Sequence, residues 1–246
     1  MIRSIFTFSI TAFLCNPALS IVGDAPAANG VAGQAIVMIS GPRGSVCTGA
    51  AIARDLVLTA AHCAQATSYR VSAFHTATIS VARIAVHPRF DLASYNRSRA
   101  TADVALMKLS EPLPASIVPA TLAAAPAKVA VGDRFVVAGF GVTAPGGDAG
   151  LGTPRMASLA ATGQPGNLQL RLFDPATSGE RAGLGACTGD SGGPVFAAGK
   201  VMGIVSWSTG PQLEEGCGGL TGVTPLALYR GWIVEAARAL GSPLAP

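Results

Sequence analysis

Charged residues are scarce in this chain, and their scarcity excludes several classes of protein. Asp, Glu, Lys and Arg make up 12% of the 246 residues, about half of the usual share, whereas half of all residues are hydrophobic. A solvated, disordered chain needs the opposite balance. The formal net charge is only +4 and no basic run occurs, so the composition does not support nucleic-acid binding. A chain of this length can bury a substantial core as one all-β domain.

The apolar block at the N-terminus is too short to span a bilayer. Arg3 precedes an apolar segment, Ile5 to Leu14, and the small residues Ala18 and Ser20 fit signal-peptidase cleavage after Ser20. We therefore expect residues 1–20 to be a signal peptide and residues 21–246 to be the mature domain, secreted to the periplasm or the extracellular space. A retained membrane anchor is the alternative.

Cysteine is also sparse, and signal cleavage would remove Cys15 and leave an even number. Four cysteines suit an oxidising compartment and allow three disulfide pairings, among which the residues alone do not choose. No Cys-x-x-Cys spacing supports a zinc site. We expect no metal and no cofactor. The four are Cys47, Cys63, Cys187 and Cys217.

The segment from Cys187 to Pro194 reads Cys-Thr-Gly-Asp-Ser-Gly-Gly-Pro. So many glycines, closed by a proline, exclude a regular helix or a central strand. The segment predicts a tight turn that holds the Ser191 hydroxyl outward and leaves bare amide groups beside it. A plain glycine-rich hairpin turn is the alternative.

A serine hydroxyl becomes a useful nucleophile only when a base takes its proton, and the chain has three histidines. His62 follows the apolar run Leu56 to Leu58, so it is fixed at the end of a buried strand. His75 and His87 stand in polar stretches, and we expect both to be ordinary surface or turn residues.

A catalytic histidine needs a carboxylate that fixes its tautomer. Asp103 is surrounded by apolar residues, in Ala-Asp-Val-Ala-Leu-Met-Lys-Leu, and an ionised carboxylate is costly to bury without a partner. The alternative is that Asp103 merely starts a strand at its exposed end.

Taken together, His62, Asp103 and Ser191 resemble the trypsin/chymotrypsin family of serine endopeptidases. Leu-Thr-Ala-Ala-His-Cys, Asp-Val-Ala-Leu-Met-Lys-Leu, Gly-Asp-Ser-Gly-Gly-Pro and Ser206-Trp207 occur in the family's order, and the resemblance covers residues 21–241. It implies an all-β fold of two six-stranded antiparallel barrels packed together with a C-terminal α-helix. It also implies a protease acting on proteins or peptides, with protein inhibitors as further candidate partners and a monomeric state.

The segment Gly189 to Gly193 also fits the Gly-x-Ser-x-Gly turn of α/β-hydrolases. In that fold the acid and the histidine follow the serine, but no histidine and no aspartate occurs after Ser191. The chain order therefore excludes an esterase of that fold. A family member that keeps the fold and acts as a binding module remains the alternative to an active protease.

The resemblance also implies roles for residues around the nucleophile. The amides of Gly189 and Ser191 would stabilise the oxyanion. The α-amino group of Ile21, once freed by cleavage, would pair with Asp190. The pairings Cys47–Cys63 and Cys187–Cys217 follow from the family too.

Substrate contacts are implied in the same way. Ser206, Trp207 and Ser208 resemble the edge segment that pairs with the substrate backbone. Gly185, Ser208 and Gly222 would frame the pocket for the residue before the scissile bond. Because Gly185 stands where trypsin-like members carry an aspartate, we expect a preference for uncharged, apolar side chains there.

The short β-rich runs separated by turn residues fit two barrels. A Pro/Ala-rich stretch at 111–127 would link them, and an apolar stripe predicts a helix over 229–240. Strands are predicted at 35–40, 45–53, 56–59, 69–73, 78–86, 104–109, 134–142, 169–173, 194–197, 201–207 and 220–224.

Overall fold

The computed structural model describes residues 21–124, 128–163 and 168–244. The predicted signal peptide, residues 1–20, lies outside the described residues. Among the helices in these three ranges, none has both the length and the apolar character that a membrane span requires.

The first barrel closes with six antiparallel strands in the order β1-β2-β3-β6-β5-β4. Each strand lies within one residue of its predicted ends. The strands are β1 (Ile36–Ser40), β2 (Val46–Ala53), β3 (Leu56–Thr59), β4 (Arg70–Ser72), β5 (Ile79–Val86) and β6 (Ala105–Leu109).

The second barrel closes in the order β10-β11-β12-β9-β8-β7. Together the two barrels confirm the predicted fold class. The strands are β7 (Arg134–Gly139), β8 (Arg155–Gly163), β9 (Leu170–Phe173), β10 (Pro194–Ala197), β11 (Lys200–Ser208) and β12 (Leu220–Pro225).

Strand β8 has no counterpart among the predicted strands. Its sequence, Arg-Met-Ala-Ser-Leu-Ala-Ala-Thr-Gly, contains little of the β-branched and aromatic character that marks strands. In the structure Ala157, Leu159 and Ala161 face the barrel interior, whereas Ser158 is exposed. Because the local β-propensity of this segment is weak, its strand conformation depends on pairing with β7 and β9.

Apolar runs without alternation occur where a strand is buried on both faces. In β3, Val57 points into the first barrel, whereas Leu58 packs in the cluster between the two barrels. In β6, Met107 points into the first barrel, whereas Leu106 packs in the cluster between the two barrels. This shared cluster holds the barrels together, and the catalytic candidates lie at its edge.

Helices are few among the described residues. The two short ones are α1 (Gly30–Ala35) and α2 (Leu92–Tyr95), and the C-terminal one is α3 (Arg230–Ala239). Ile233 and Ala237 of α3 are fully buried in the cluster between the barrels. Helix α3 ends at Ala239, and Gly241 follows its C-cap residue Leu240 with a φ of +79°, a left-handed conformation that glycine adopts without strain.

Burial of His87 departs from the expectation of a surface residue, although its carbonyl does accept the turn hydrogen bond from the Phe90 amide. The side chain is 5% exposed and packs edge-on against Tyr229 and Trp232, with ring centroids 5.0 and 4.8 Å away. Burial lowers the pKa of His87, and the nearby Arg89 charge adds to the effect.

A polar cluster fastens the end of the chain to the first barrel. Lys108 forms an ion pair with Asp55 and donates to Ser242 Oγ at 2.6 Å, and Ser242 Oγ donates to Asp55 Oδ1 at 2.6 Å. Partial burial raises the pKa of Asp55, but the hydrogen bonds from Lys108 and Ser242 outweigh it and leave that pKa below its usual value. Each polar group of the cluster thus has a partner.

We expect Ser242→Ala to lower the free energy of unfolding by about 1–2 kcal/mol, because it leaves Lys108 and Asp55 each without one hydrogen bond. Urea unfolding followed by fluorescence measures this change. Ser158→Ala on the exposed face of β8 is the matched control and should change stability by less than about 0.5 kcal/mol. Equal effects of the two substitutions would contradict the stabilising role of the polar cluster around Ser242.

Candidate active site

His62 lies in a single 3-10 turn, Ala61–Ala64, directly after β3. Ala60 and Ala61 are fully buried, and their small side chains let the chain turn between the strands. The disulfide between Cys63 and Cys47 of β2 fixes this turn to the barrel. The predicted pairing of these two cysteines is therefore present in the structure, and it holds His62 at the mouth of the first barrel.

Asp103 reaches His62 because of the register between β3 and β6. Thr59 pairs with Ala105, so the residues beyond the strand ends also face each other. The His62 backbone N–H donates to Asp103 Oδ1 at 2.9 Å, and His62 Nδ1 lies 2.9 Å from Asp103 Oδ2. The carboxylate is 1% exposed. Asp103 thus orients both the backbone and the ring of His62.

The second barrel supplies a third donor to this carboxylate. Ser206 of β11 donates from Oγ to Asp103 Oδ2 at 2.5 Å. Because the hydroxyl is buried on Asp103, a contact of Ser206 with substrate would have to come from its backbone, as the predicted strand pairing requires. The buried carboxylate therefore joins the two barrels at the site.

Tyr95, at the end of α2, is a site residue that the motifs did not reveal. Its ring stacks on the His62 imidazole, with centroids 4.5 Å apart and planes 13° from parallel. Its hydroxyl donates to the Ser206 carbonyl at 3.0 Å. Burial raises the pKa of Tyr95, and the Asp103 charge raises it further. Its sequence signal is one aromatic residue in a polar stretch shortly before Asp103.

The loop that carries Ser191 is held by Thr48 of β2. The Thr48 amide donates to the Ser191 carbonyl at 2.8 Å, and Thr48 Oγ1 donates to the Gly189 carbonyl at 2.8 Å. The same Oγ1 accepts from the Phe140 amide at 3.0 Å. Thr48 is fully buried. A polar residue in a largely apolar strand was the available signal, and the motif pattern did not include it.

Close contacts and backbone conformation explain two of the glycines around Ser191. A Cβ on Gly192 would lie 2.1 Å from Thr59 Oγ1, so any side chain there would collide with β3. Gly189 has φ +95°, which favours glycine and orients the peptide beside the nucleophile. The second predicted disulfide, Cys187–Cys217, is also formed and ties this loop to the segment before β12.

His62 and Ser191 line one cleft of about 800 Å³, together with Gly189, Trp207 and Ser208. Among the described residues, His62 Nε2 and Ser191 Oγ form no hydrogen bond with each other. The Nε2 atom lies 3.7 Å from Cys63 Sγ. Catalytic hydrogen bonds of this kind often tighten only when substrate binds. The structure therefore brings the nucleophile and the base candidates to the same cleft without joining them.

Asp190 is completely buried beside Ser191, the candidate nucleophile. Its carboxylate accepts from the Gly141 amide and the Cys187 amide, each at 2.8 Å. A Cβ on Gly139 would lie 2.1 Å from Asp190 Oδ1, so this glycine makes room for the carboxylate. Burial raises the pKa of Asp190 to about 7, since two amides do not replace a full counter-charge.

Ile21 lies at the second barrel, but the predicted activation pair is not formed in this chain. Its side chain is fully buried in the core of that barrel, and the Val22 amide donates to the Gly185 carbonyl at 3.2 Å. In the uncleaved chain the Ile21 nitrogen is an ordinary peptide nitrogen. Within the part of the chain that the structure describes, no cation pairs with Asp190.

The predicted edge segment lines the cleft with Ser206, Trp207 and Ser208. Of the residues predicted to frame the specificity pocket, Ser208 lines the cleft, whereas Gly185 and Gly222 do not. A Cβ on Gly185 would lie 3.2 Å from the Gly218 Cα, so Gly185 packs against backbone there. Gly222 is covered by the Trp207 indole.

Three side chains with metal-binding atoms lie close together in the structure, but two of them form the first disulfide. One ligand atom each of Cys47, Cys63 and His62 lie within 4.8 Å of one another. Both sulfurs belong to the disulfide, so neither is the thiolate that a metal ion would bind.

Two closed antiparallel barrels with a histidine, a buried aspartate and a loop serine at their junction define the class of chymotrypsin-fold proteins. The family model described as Trypsin matches residues 21–233. The chain therefore belongs to the trypsin family of serine proteases.

Curated relatives are distant in sequence. Snake venom serine protease rhinocerase 4 from Bitis rhinoceros is 27% identical over 212 residues, which cover 81% of each chain. Trypsin-3 from Salmo salar is 29% identical over 202 residues, covering 76% of this chain and 81% of that protein. Among solved structures, human heparin binding protein has a TM-score of 0.71 at 25% identity, covering 92% of this chain and all of that one.

The raised pKa of Asp190 predicts how the uncleaved chain responds to pH. Between about pH 4 and pH 7 Asp190 is protonated when folded and ionised when unfolded, so the free energy of unfolding should fall as the pH rises through this window, by up to about 4 kcal/mol. Asp190→Asn cannot ionise and should remove this part of the pH dependence. Urea unfolding between pH 4 and 8 measures the pH dependence of stability for the wild type and for the Asp190→Asn variant.

Asp148→Asn is the matched control, because Asp148 is exposed in a loop. It should leave the slope between pH 4 and 7 unchanged. A wild-type slope shared by Asp190→Asn would show that another group carries it.

Proposed function

We propose that this chain is a secreted serine endopeptidase that hydrolyses peptide bonds through an acyl-enzyme intermediate. The observation that carries the proposal is the buried Asp103 carboxylate, which is hydrogen-bonded to His62 and Ser206 in the same region as the cleft that Ser191 lines. Its substrates would be proteins or peptides, and it would act as a monomer.

The chemistry follows from the roles of these side chains. His62 Nε2 takes the proton from Ser191 Oγ as Oγ bonds to the peptide carbonyl carbon, and Asp103 stabilises the resulting imidazolium. The amides of Gly189 and Ser191 donate to the oxyanion. His62 then gives its proton to the leaving amine as the C–N bond breaks, and water releases the acyl group by the reverse sequence of proton transfers.

Stacking on Tyr95 gives the imidazole a defined plane. Tyr95 is itself held by its hydrogen bond to Ser206, so its stacked ring opposes tilting of the imidazole. The hydrogen bond from Ser191 Oγ to His62 Nε2 would form when substrate binds. This geometry supports a base that is oriented before substrate arrives.

Cleavage before Ile21 would activate the enzyme. A free α-amino group at this position would supply the cation that Asp190 lacks and would lower the pKa of that carboxyl. Signal cleavage after Ser20 would then release and activate the enzyme in one event.

The pocket for the residue before the scissile bond would take uncharged, apolar side chains. Trp207, Ser208 and Thr188 line the cleft and carry no charge. Glu214 and Glu215 do not line the cleft, so a basic side chain finds no carboxylate there.

A binding protein without catalysis is the alternative function. One structural neighbour, human heparin binding protein, has a binding role by its name. The oriented His62 favours an enzyme, since a binding protein has no need of a buried carboxylate on this ring. Labelling of the nucleophile decides between the two.

A fluorophosphonate probe should label the mature protein at Ser191, and Ser191→Ala should lose both the label and at least about 10⁴-fold in turnover of a peptide substrate. Mass spectrometry of the labelled peptide locates the site. Ser158→Ala should retain label and turnover. An unlabelled, folded wild-type protein would support the binding alternative.

A second prediction tests activation. The chain that begins at Ile21 should be on the order of 10²- to 10³-fold more active than the same chain with one added N-terminal glycine, because the added residue displaces the α-amino group from Asp190. Initial rates between pH 6 and 10 measure this, and the activity of the Ile21 form should decline at alkaline pH when the amine loses its proton. Full activity of the extended chain would overturn the proposed pair.

A further inference from the structure

A second cavity of about 540 Å³ adjoins the catalytic cleft. Tyr95, Ser206, Trp207 and Ser208 line both spaces, whereas Ser191 lines only the first. Trp207 is therefore a wall common to the two. A peptide that pairs with the 206–208 edge would extend from the nucleophile past this wall.

Two arginines give the second cavity a positive charge. Arg99 and Arg171 line it and are both exposed. Asp103 is the single acidic residue among its described lining, and His62 and Ser206 already donate to its two oxygens. Neither arginine forms an ion pair with another described residue. The cavity thus has cationic donors and no free carboxylate of its own.

The sheet register places Arg171 beside Trp207. Arg171 of β9 pairs with Gly222 of β12, which pairs with Trp207 of β11. Directly opposite residues in antiparallel strands project from the same face of a sheet. A Cβ on Gly222 would lie 1.9 Å from Trp207 Cε2, so the absence of a side chain lets the indole lie over β12. Arg171 then stands on the next strand, past the indole.

Arg99 approaches from the first barrel. It follows α2 in the segment that leads to Asp103, and its amide donates to the Ser94 carbonyl at 2.9 Å. Tyr95 is the last residue of α2, only four residues before Arg99. The part of the chain that supports the His62 ring therefore also supplies one wall of the cavity. The two arginines therefore come from different barrels.

We propose that Arg99 and Arg171 select substrates with an aspartate or glutamate on the N-terminal side of the scissile bond, beyond the residue that occupies the cleft next to Ser191. Guanidinium groups match carboxylates in charge and in planar geometry. This inference rests on the proposed endopeptidase function. It adds a preference for substrates that carry an acidic residue N-terminal to the apolar residue before the scissile bond.

The experiment uses pairs of internally quenched peptides that differ only by Glu or Gln at the second, third or fourth residue before the scissile bond. At low ionic strength the wild-type mature enzyme should show kcat/KM about 2- to 10-fold higher for the Glu peptide at one of these positions, mainly through KM. The ratio should shrink at about 0.5 M NaCl because salt screens exposed charges.

Arg99→Gln and Arg171→Gln should each reduce the Glu/Gln ratio, and the double variant should bring it to about 1. Arg97→Gln is the matched control, because Arg97 is an exposed cation on the same loop that does not line the cavity, and it should keep the wild-type ratio. A wild-type ratio near 1 at all three positions, or a ratio unchanged in the double variant, would overturn the inference while leaving the endopeptidase intact.

Failure of the proposed function gives a different result. If the fluorophosphonate does not label Ser191 and no peptide is cleaved, the endopeptidase is rejected. Calorimetric binding of the Glu and Gln peptides to the same protein then decides the inference by itself. Tighter binding of the Glu peptide that disappears in the double variant supports the acidic subsite, and equal binding rejects it.

Discussion

A buried carboxylate at the junction of two barrels is the constraint on which the site depends. Asp103 is almost completely removed from water, and a carboxylate in that position is stable only if donors surround it. The backbone and ring of His62 supply donors from the first barrel, and Ser206 supplies one from the second. The requirement to satisfy this charge therefore fixes the orientation of the imidazole and the relative position of the two barrels at the cleft.

Asp190 meets the same requirement incompletely. It is as deeply buried as Asp103 but accepts from only two backbone amides, so burial dominates and its pKa rises to about 7. A carboxyl in this state is ready to pair with a cation that arrives later. The two aspartates thus differ in their donors: side chains from both barrels surround the Asp103 carboxylate, whereas we propose that a freed N-terminus completes the surroundings of Asp190.

Thr48 shows how the nucleophile loop depends on the opposite barrel. Its amide and hydroxyl together bind the carbonyls of Ser191 and Gly189, and Gly192, which has no side chain, lets that loop approach β3. Tyr95 performs a similar task for His62. Thr48 binds the backbone beside Ser191 and Tyr95 stacks on the His62 imidazole, so both restrict the groups proposed to react.

Much of the fold was accessible from local patterns. Apolar runs separated by turn residues located all six strands of the first barrel, because each run is buried or partly buried on at least one face and turn residues interrupt the pattern between runs. Strand β8 was missed since alanine and serine carry little β-propensity. The burial of His87 was missed because the C-terminal segment, far along the chain, covers it with Tyr229 and Trp232.

The residue types and their order along the chain determined the family and the candidates His62, Asp103 and Ser191, because the motifs around them are short, specific and local. Tertiary structure alone decided which partners complete the site. Ser206, Tyr95 and Thr48 meet these residues across strand registers and across the barrel junction, and such contacts depend on packing between segments far apart in the chain, about which a local pattern carries no information. The same reason explains why Arg99 and Arg171, unremarked in the sequence, share one cavity.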